Sequence, residues 1–292
     1  MKKILITGSS GFLGNNLSNF FSQNNQKKFE VISSYNSIKP KFKKKIKIIK
    51  LNSNILKKKK KKINFDIVIH CASKTRVNTK NNFILYKENI EFLNQIIDKI
   101  EFDYFFFMSS MSVYGLVKQK KINENNNLGA QDFYGKSKIE CESILKRFSL
   151  KNFNKKIIIF RLPGVVGLNS HSNFISNLKN AFEHDLNNTI TINNKNDKFN
   201  NILHVKDLYF SIKKLLTSKY KFNFMIFVLG SKYSIKLKNI IKIFENFYKK
   251  KIKLKFNSNK NHNKLVDFSK GAKFDLKFNS TIKSITNMLK NI

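Results

Sequence analysis

The sequence predicts an α/β fold: a doubly wound parallel sheet followed by a smaller C-terminal substrate-binding lobe. Two observations predict it. Short apolar runs alternate with amphipathic stretches through the first half of the chain, as expected of buried strands linked by helices. Three of the ten glycines, Gly8, Gly11 and Gly14, are packed into ITGSSGFLG, between an apolar run and a helical stretch.

Taken in order, the apolar runs place strands at Lys3–Thr7, Glu30–Ser33, Ile46–Leu51, Asp66–Cys71, Tyr104–Ser109 and Lys156–Arg161. Amphipathic spacing places helices at Phe12–Ser22, Ile55–Lys62, Asn82–Ile100 and Asp132–Phe153. The second half is less regular. Asn173–His184, Val205–Thr217, Ser234–Lys249 and Thr281–Ile292 read as helices, and Phe222–Leu229 and Lys251–Phe256 as strands. The expected organisation is a dinucleotide-binding domain over residues 1–164. Residues 165–292 then form mainly a substrate lobe, with some segments returning to the first domain. No linker rich in Pro, Gly or Ser separates the halves, so a shared interface holding the ligand is expected.

The glycine turn is the strongest chemical signal. A strand, a glycine turn and a helix start together aim backbone N–H groups and a helix dipole at an anion. Glycine is required because a side chain would block the turn or hold a pyrophosphate away. The ligand class this implies is a dinucleotide.

Composition narrows the partners. Lys and Arg number 57 against 18 Asp and Glu, a formal charge of +39. Such a charge suits nucleic acid or an anionic membrane. However, Lys, Asn, Ile and Phe are all over-used, and the lysines run along the whole chain without a separate basic tail. These residues have AT-rich codons, so compositional drift is the favoured reading and a nucleic-acid partner is not expected. The run Lys57–Lys62 lies between two strands and reads as a solvated helix face or loop. The field would still steer an anionic substrate. Cys71 and Cys141 sit in apolar segments without ligand spacing, which suggests buried free thiols in a reducing compartment. The five histidines add no metal pattern, so no metal is expected. The stretch in MKKILITG is too short for a signal peptide, and the aromatic run Tyr104–Met108 is too short for a membrane helix. A soluble cytoplasmic protein is expected.

Two further motifs carry chemistry. In YGKSK, Tyr134 and Lys138 stand four residues apart on one helix face. A free phenol ionises near pH 10, and bringing it to about 7 takes roughly 4 kcal/mol of phenolate stabilisation. A unit positive charge about 4 Å away supplies roughly that at an effective dielectric near 20. Lys138 is such a charge, so Tyr134 can move a proton to or from a substrate hydroxyl or carbonyl. MSSMSVYG, Met108–Gly115, ends a buried strand, where open α/β sheets place ligands. A serine hydroxyl there can hydrogen-bond the same substrate oxygen.

In order, TGSSGFLG, DIVIHCAS (Asp66–Ser73), Asn89, SSMSVYG, YGKSK, RLPGVVG (Arg161–Gly167) and ILHVKDL (Ile202–Leu208) resemble the extended short-chain dehydrogenase/reductase family, in its NAD-dependent epimerase/dehydratase branch. The resemblance covers essentially the whole chain and includes DFSKGAKFDLKF, Asp267–Phe278. Seven of the ten glycines lie in the motifs from TGSSGFLG to ILHVKDL. It implies a Rossmann-type fold and an NAD(P)-dependent enzyme acting on a nucleotide sugar. Ser110 would take the catalytic Ser/Thr position, Tyr134 would be the acid/base, and Lys138 its partner and a ribose ligand. Gly8, Gly11, Phe12, Leu13, Gly14, Cys71, Ala72, Ser73 and Pro163 would line the cofactor, with Asn89 in a supporting role. A homodimer through Asn82–Ile100 and Asp132–Phe153 is also implied.

The departures are informative. Sugar dehydratases of this branch carry an Asp-Glu pair after the catalytic Ser/Thr, where this chain has Met111 and Ser112, so a dehydratase is disfavoured. After the second strand stands Ser33–Ser37 (SSYNS), with no carboxylate and with Lys39 and Lys41 beyond, which leaves NAD and NADP both open. Asn52 replaces a common adenine-contacting Asp, and Gly164 a frequent Asn. His171, Asn173, Phe174 and His204 are the candidate substrate contacts. The residues fit an epimerase and a 4-keto reductase equally. The competing class is a non-catalytic dinucleotide-binding sensor or nucleic-acid-associated protein, which would need no Tyr/Lys pair.

Overall fold

In a computed structural model of the chain, the apolar run at its start forms β1 (Lys2–Thr7), which buries Ile4, Leu5 and Ile6 completely. Residues 1–24, 28–42, 45–75, 82–116, 119–171, 173–184, 189–192, 195–256 and 264–291 are described. Six further strands join β1: β2 (Phe29–Tyr35), β3 (Lys47–Lys50), β4 (Ile67–His70), β5 (Tyr104–Ser110), β6 (Lys156–Leu162) and β7 (Phe224–Val228). Their order is β7-β6-β5-β4-β1-β2-β3. β1 runs parallel to both β2 and β4, with Ile4 opposite Val31 on one side and Ile67 on the other; β2–β3 and β4–β5 are parallel too. The chain leaves β1 in one direction and returns on its other side at β4. That reversal is the switch point where parallel sheets open a crevice beyond their carboxyl ends.

The chain divides into two units. The first comprises residues 1–116, 126–161 and 212–227, and the second 117–125, 162–211 and 228–292. In the first unit the helices are α1 (Phe12–Asn24), α2 (Ser53–Lys57), α3 (Asn82–Lys99) and α4 (Phe133–Lys151). Strands β4 and β5 are almost wholly buried, as expected where helices cover both faces of a parallel sheet. Leu5, Val68, Phe105, Phe107, Ile157 and Ile159 pack with Leu93 and Ile96 of α3 and Cys141 and Leu145 of α4.

The expected elements are present, with two informative differences in extent. Helix α2 covers Ser53–Lys57 instead of Ile55–Lys62. Asn52 caps its start, accepting a hydrogen bond from Ile55 N at 2.9 Å. Beyond Leu56 the six successive lysines offer no apolar residue to bury and repel one another along a helix. Lys58–Lys62 is an exposed connection, flanked by ion pairs of Lys57 with Glu91 and of Lys62 with Glu101. The second difference is the helix expected over Ser234–Lys249. Ile235–Lys236 instead pairs antiparallel with Lys198–Phe199, and the helix runs over Leu237–Tyr248, ended by Lys249 in the left-handed region.

The second unit holds α5 (Phe174–His184), most of α6 (Val205–Thr217, shared with the first unit), α7 (Leu237–Tyr248), α8 (Ser269–Lys273) and α9 (Thr281–Leu289). Its core gathers Ile175, Leu178 and Phe182 of α5, Ile240 and Phe244 of α7, and Ile285 and Met288 of α9. The motifs RLPGVVG and ILHVKDL each contain a three-residue strand, Gly164–Val166 and Ile202–His204, and the two pair in parallel. Asp207 of the second motif accepts hydrogen bonds from Asn279 N at 3.0 Å and Asn279 Nδ2 at 2.7 Å, tying it to the C-terminal segment. Among the described residues, no helix is long and apolar enough to cross a membrane.

Candidate active site

The glycine turn is built by contacts that exclude side chains. Gly8 adopts φ +67°, and a Cβ there would lie 2.6 Å from Ala72 Cα. A Cβ on Gly14 would meet the Gly8 carbonyl and come 2.9 Å from Ser9 Cα. Gly11 N donates to Gly8 O at 3.0 Å and closes the turn. Ser9 locks it to the sheet: its N–H donates to Ser34 O at 2.9 Å and its hydroxyl to Ile6 O at 2.9 Å. Phe12, buried, and Leu13 open α1 directly after the turn. This is an anion cradle at a helix N-terminus, set at the carboxyl end of β1.

The stretch Cys71-Ala72-Ser73 leaves the end of β4 beside this turn. Ala72 N donates to Thr7 Oγ1 at 3.2 Å, and Thr7 Oγ1 is 3.0 Å from His70 Nδ1. Asn89 of α3 holds the same stretch. Its Oδ1 accepts from Lys74 N at 2.7 Å, and its Nδ2 donates to Lys74 O at 3.1 Å and Ser137 Oγ at 3.2 Å. Asn89 thus bridges the loop after β4 and α4. Burial pushes the Cys71 and Cys141 thiols up to about 12, so neither is a thiolate at neutral pH.

Tyr134 and Lys138 lie on the first turns of α4, which Asp132 caps by accepting from Gly135 N at 2.8 Å. Lys138 is buried, and its Nζ donates to Met108 O at 2.8 Å while lying 5.6 Å from the centre of the Tyr134 ring. Ser110 ends β5, and its Oγ accepts from Ser112 N at 3.1 Å and lies 3.1 Å from Ser112 Oγ. The turn Met111–Tyr114 and α4 touch at Gly135, where a Cβ would lie 2.7 Å from Ser112 O. Glycine after Tyr134 therefore lets α4 approach the turn that carries Ser110. The glycine turn, Cys71–Ser73, Ser110, Tyr134 and Lys138 all belong to the first unit, at the carboxyl edge of its parallel strands.

The remaining sequence candidates have other surroundings. Pro163 lies in the second unit, between β6 and Gly164–Val166. Asn173 spends its whole carboxamide locally: Oδ1 accepts from Ile175 N and Ser176 N, and Nδ2 donates to Val165 O and His171 O. It is a helix cap, and Phe174 packs against the second unit's core. His171 is exposed, whereas His204 is buried and held near 4 by burial, with the Lys206 charge adding to it. Asn52, at an adenine-contacting position in the family, caps α2 instead and donates to Asn36 Oδ1 at 3.1 Å.

One group escaped the sequence reading. Glu142, eight residues after Tyr134 on α4, forms a buried ion pair with Arg161 of β6, reinforced by Ser109 and Tyr114. A signal was available: Arg161 is one of three arginines in a chain that otherwise uses lysine. A planar guanidinium suits a buried carboxylate better than an ammonium does. Among the described residues, no group of three His, Cys, Asp or Glu side chains could hold a metal ion.

The chain is 29% identical over 184 residues to a decarboxylating sterol-4-alpha-carboxylate 3-dehydrogenase of Dictyostelium discoideum, covering 57% of this chain and 54% of the relative. It is 28% identical over 194 residues to a dTDP-D-glucose 4,6-dehydratase of the same organism, covering 57% and 44%. The match thus spans about half the length of these relatives. In fold, the chain is similar to the UDP-Glc/GlcNAc 4-epimerase of Campylobacter jejuni, with TM-score 0.79, 17% identity and all of both chains covered. It is also similar to the UDP-glucuronic acid 4-epimerase of Bacillus cereus in complex with NAD, with TM-score 0.80, 20% identity, and 99% and 96% coverage. A family model matches residues 4–230, a span that takes in the glycine turn, Ser110, Tyr134 and Lys138, and the chain belongs to the NAD dependent epimerase/dehydratase family.

Proposed function

We propose that this chain binds an NAD(P) dinucleotide and interconverts a hydroxyl and a carbonyl on a nucleotide sugar, as an epimerase or a 4-keto reductase. The observation that carries the reading is the Tyr134–Lys138 pair on α4, with Lys138 buried and anchored on Met108 O, at the same sheet edge as the glycine cradle. The cradle fits a pyrophosphate because Cβ atoms on Gly8 and Gly14 would fill it. A dinucleotide held by the glycine cradle and Lys138 would supply the hydride exchange at the sugar carbon. Tyr134 takes the hydroxyl proton in the oxidative direction and gives it back in the reductive one. Lys138 places its ammonium beside the Tyr134 ring, and Ser110 hydrogen-bonds the reacting oxygen. The residues argue against water elimination: Met111 and Ser112 stand where a dehydratase needs its acid pair, and Ser112 is engaged with Ser110.

The same reading includes a homodimer through α3 and α4. Phe83, Tyr86 and Phe133 form an aromatic cluster on their outer faces, with Phe83 46% and Phe133 38% exposed.

The test is Tyr134→Phe, assayed on a nucleotide-sugar panel. Turnover should fall by about three orders of magnitude, in the range of lost acid–base catalysis, with dinucleotide affinity unchanged. Turnover like that of the unsubstituted chain would remove Tyr134 from the chemistry. Stoichiometric consumption of reduced cofactor marks a reductase, and retained, recycled cofactor an epimerase.

A further inference from the structure

We propose that the dinucleotide selected by this chain carries a 2′-phosphate, NADP(H) in preference to NAD(H), and that the loop Asn36–Lys41 recognises it. The inference rests on the dinucleotide reading above and names the member of that class.

In a parallel α/β sheet with a glycine turn after β1, the adenosine ribose sits at the carboxyl end of β2. A carboxylate there grips the ribose diol and repels a 2′-phosphate, whereas a cation admits the phosphate. Here β2 ends in Ser34-Tyr35, followed by Asn36, Ser37, Ile38, Lys39, Pro40 and Lys41. No Asp or Glu occurs between Glu30 and Asp66, a stretch that holds 13 lysines. Both flanking acids sit at the opposite edge of the sheet. Glu30 is near the start of β2 and 3.9 Å from Lys47, and Asp66 precedes β4 and accepts from Lys3 N at 2.6 Å. A strand rises about 3.3 Å per residue, so the five residues from Glu30 to Tyr35 put roughly 16 Å between that acid and the carboxyl end.

The end of β2 and the loop are placed against the phosphate cradle by three hydrogen bonds. Ser10 Oγ donates to Ile38 O, Asn15 Nδ2 donates to Lys41 O at 3.2 Å, and Ser9 N donates to Ser34 O at 2.9 Å. Asn36 is oriented by Asn52, whose Nδ2 donates to Asn36 Oδ1 at 3.1 Å, leaving the Asn36 amide as a donor end. Lys50 stands in register with Tyr35 on the neighbouring strand. Asn36, Ser37, Lys39 and Lys41 are exposed. The carboxyl end of β2 is therefore surrounded by hydroxyl, amide and ammonium groups that can donate to a phosphate monoester, and it carries no carboxylate to grip a ribose diol or repel a 2′-phosphate. Ser34 Oγ, buried at this end of β2, has no hydrogen-bond partner among the described residues.

The chain-wide lysine excess is the competing explanation, and the experiment separates the two. The full chain is titrated with NADPH and with NADH, read by nicotinamide fluorescence, at low and near-physiological salt. The variants are K39E/K41E and, as an equal charge change on the distant exposed connection, K60E/K61E. NADPH should bind at least about tenfold more tightly than NADH, a ratio appropriate to one or two charge-assisted contacts. K39E/K41E should remove most of that preference by weakening NADPH alone, while K60E/K61E leaves the ratio within about twofold. NADH binding as tightly as NADPH overturns the inference and leaves the dinucleotide reading standing. A preference that survives K39E/K41E, or falls equally in K60E/K61E, overturns the assignment to this loop. Failure of the unsubstituted chain to bind either dinucleotide overturns both.

Discussion

Glu142 Oε2 lies 2.7 Å from Arg161 Nη2, with the two side chains only 5% and 4% exposed. The pair joins three elements of the candidate site. Ser109, at the end of β5, donates to Glu142 Oε1 at 2.5 Å, and Arg161 Nη1 donates to the Tyr114 hydroxyl at 2.8 Å. Arg161 also lies 5.0 Å from the centre of the Tyr114 ring. Ser109 and Tyr114 bracket the turn that begins at Ser110, and Glu142 is one helical turn beyond Lys138. The pair thus clamps the Ser110 turn, α4 and β6 together.

Removing one partner should be costly. Glu142→Leu leaves a buried guanidinium without its carboxylate and should lower stability by about 3–5 kcal/mol. Glu142→Leu with Arg161→Met removes both charges and should recover most of that loss. Denaturant unfolding of the two variants checks this. Equal destabilisation would mean that the pair's charges are not what holds the site.

The approach of α4 to the Ser110 turn depends on Gly135. Gly135→Ala puts a methyl group 2.7 Å from Ser112 O and 2.7 Å from Ala130 Cβ. The helix must shift, carrying Tyr134 with it. Turnover should fall by up to about 10²-fold, the cost of a misplacement near 1 Å, with dinucleotide affinity little changed. Steady-state kinetics beside a binding titration separates the two quantities. Unaltered kcat would show that the contact does not set the position of Tyr134.

Acid should weaken the first unit through His70. Burial, and secondarily the Lys138 charge, hold the ring down at about 3 in the folded chain, against about 6.5 when unfolded. Between these values the unfolded chain binds the extra proton. Stability is therefore complete above about 6.5 and falls toward 3, by at most ~1.4 kcal/mol per pH unit from this group. Asp207 acts in the opposite sense: burial raises its carboxyl to about 6, so acidification from there toward 3.8 favours the folded second unit. Melting of His70→Gln across pH 7 to 4 should show a shallower acid limb than the unsubstituted chain. An identical limb would exclude His70 as its source.

The aromatic cluster on α3 and α4 gives a test of assembly. Phe83→Glu with Phe133→Glu should convert the proposed dimer to a monomer in sedimentation, since paired acids on each face would repel across a two-fold interface. A monomer before substitution would reject this surface as the interface.

Much of the first unit is legible in residue order. Buried parallel strands announce themselves as continuous apolar runs, and Tyr104–Ser110 and Lys156–Leu162 fall within a residue of their expected limits. Tyr134 and Lys138 are legible because helical spacing alone puts them on one face. Short ladders such as Gly164–Val166 with Ile202–His204 are not, because three residues carry no periodicity. Asn52 departs from an adenine-contacting Asp and Asn173 reads as a candidate substrate contact; that each caps a helix shows only when the neighbouring backbone N–H groups are in place.

The glycine turn, the strand–helix alternation and the YGKSK spacing suffice to predict a dinucleotide fold with a candidate tyrosine acid/base. Each is a local pattern enforced by backbone geometry. The Glu142–Arg161 clamp, the seat of Lys138 on Met108 O and the acid-free loop laid against the cradle depend on residues brought together across 19 to 30 positions of chain. Burial and charge act through space, so these features exist only once the sheet has closed around them.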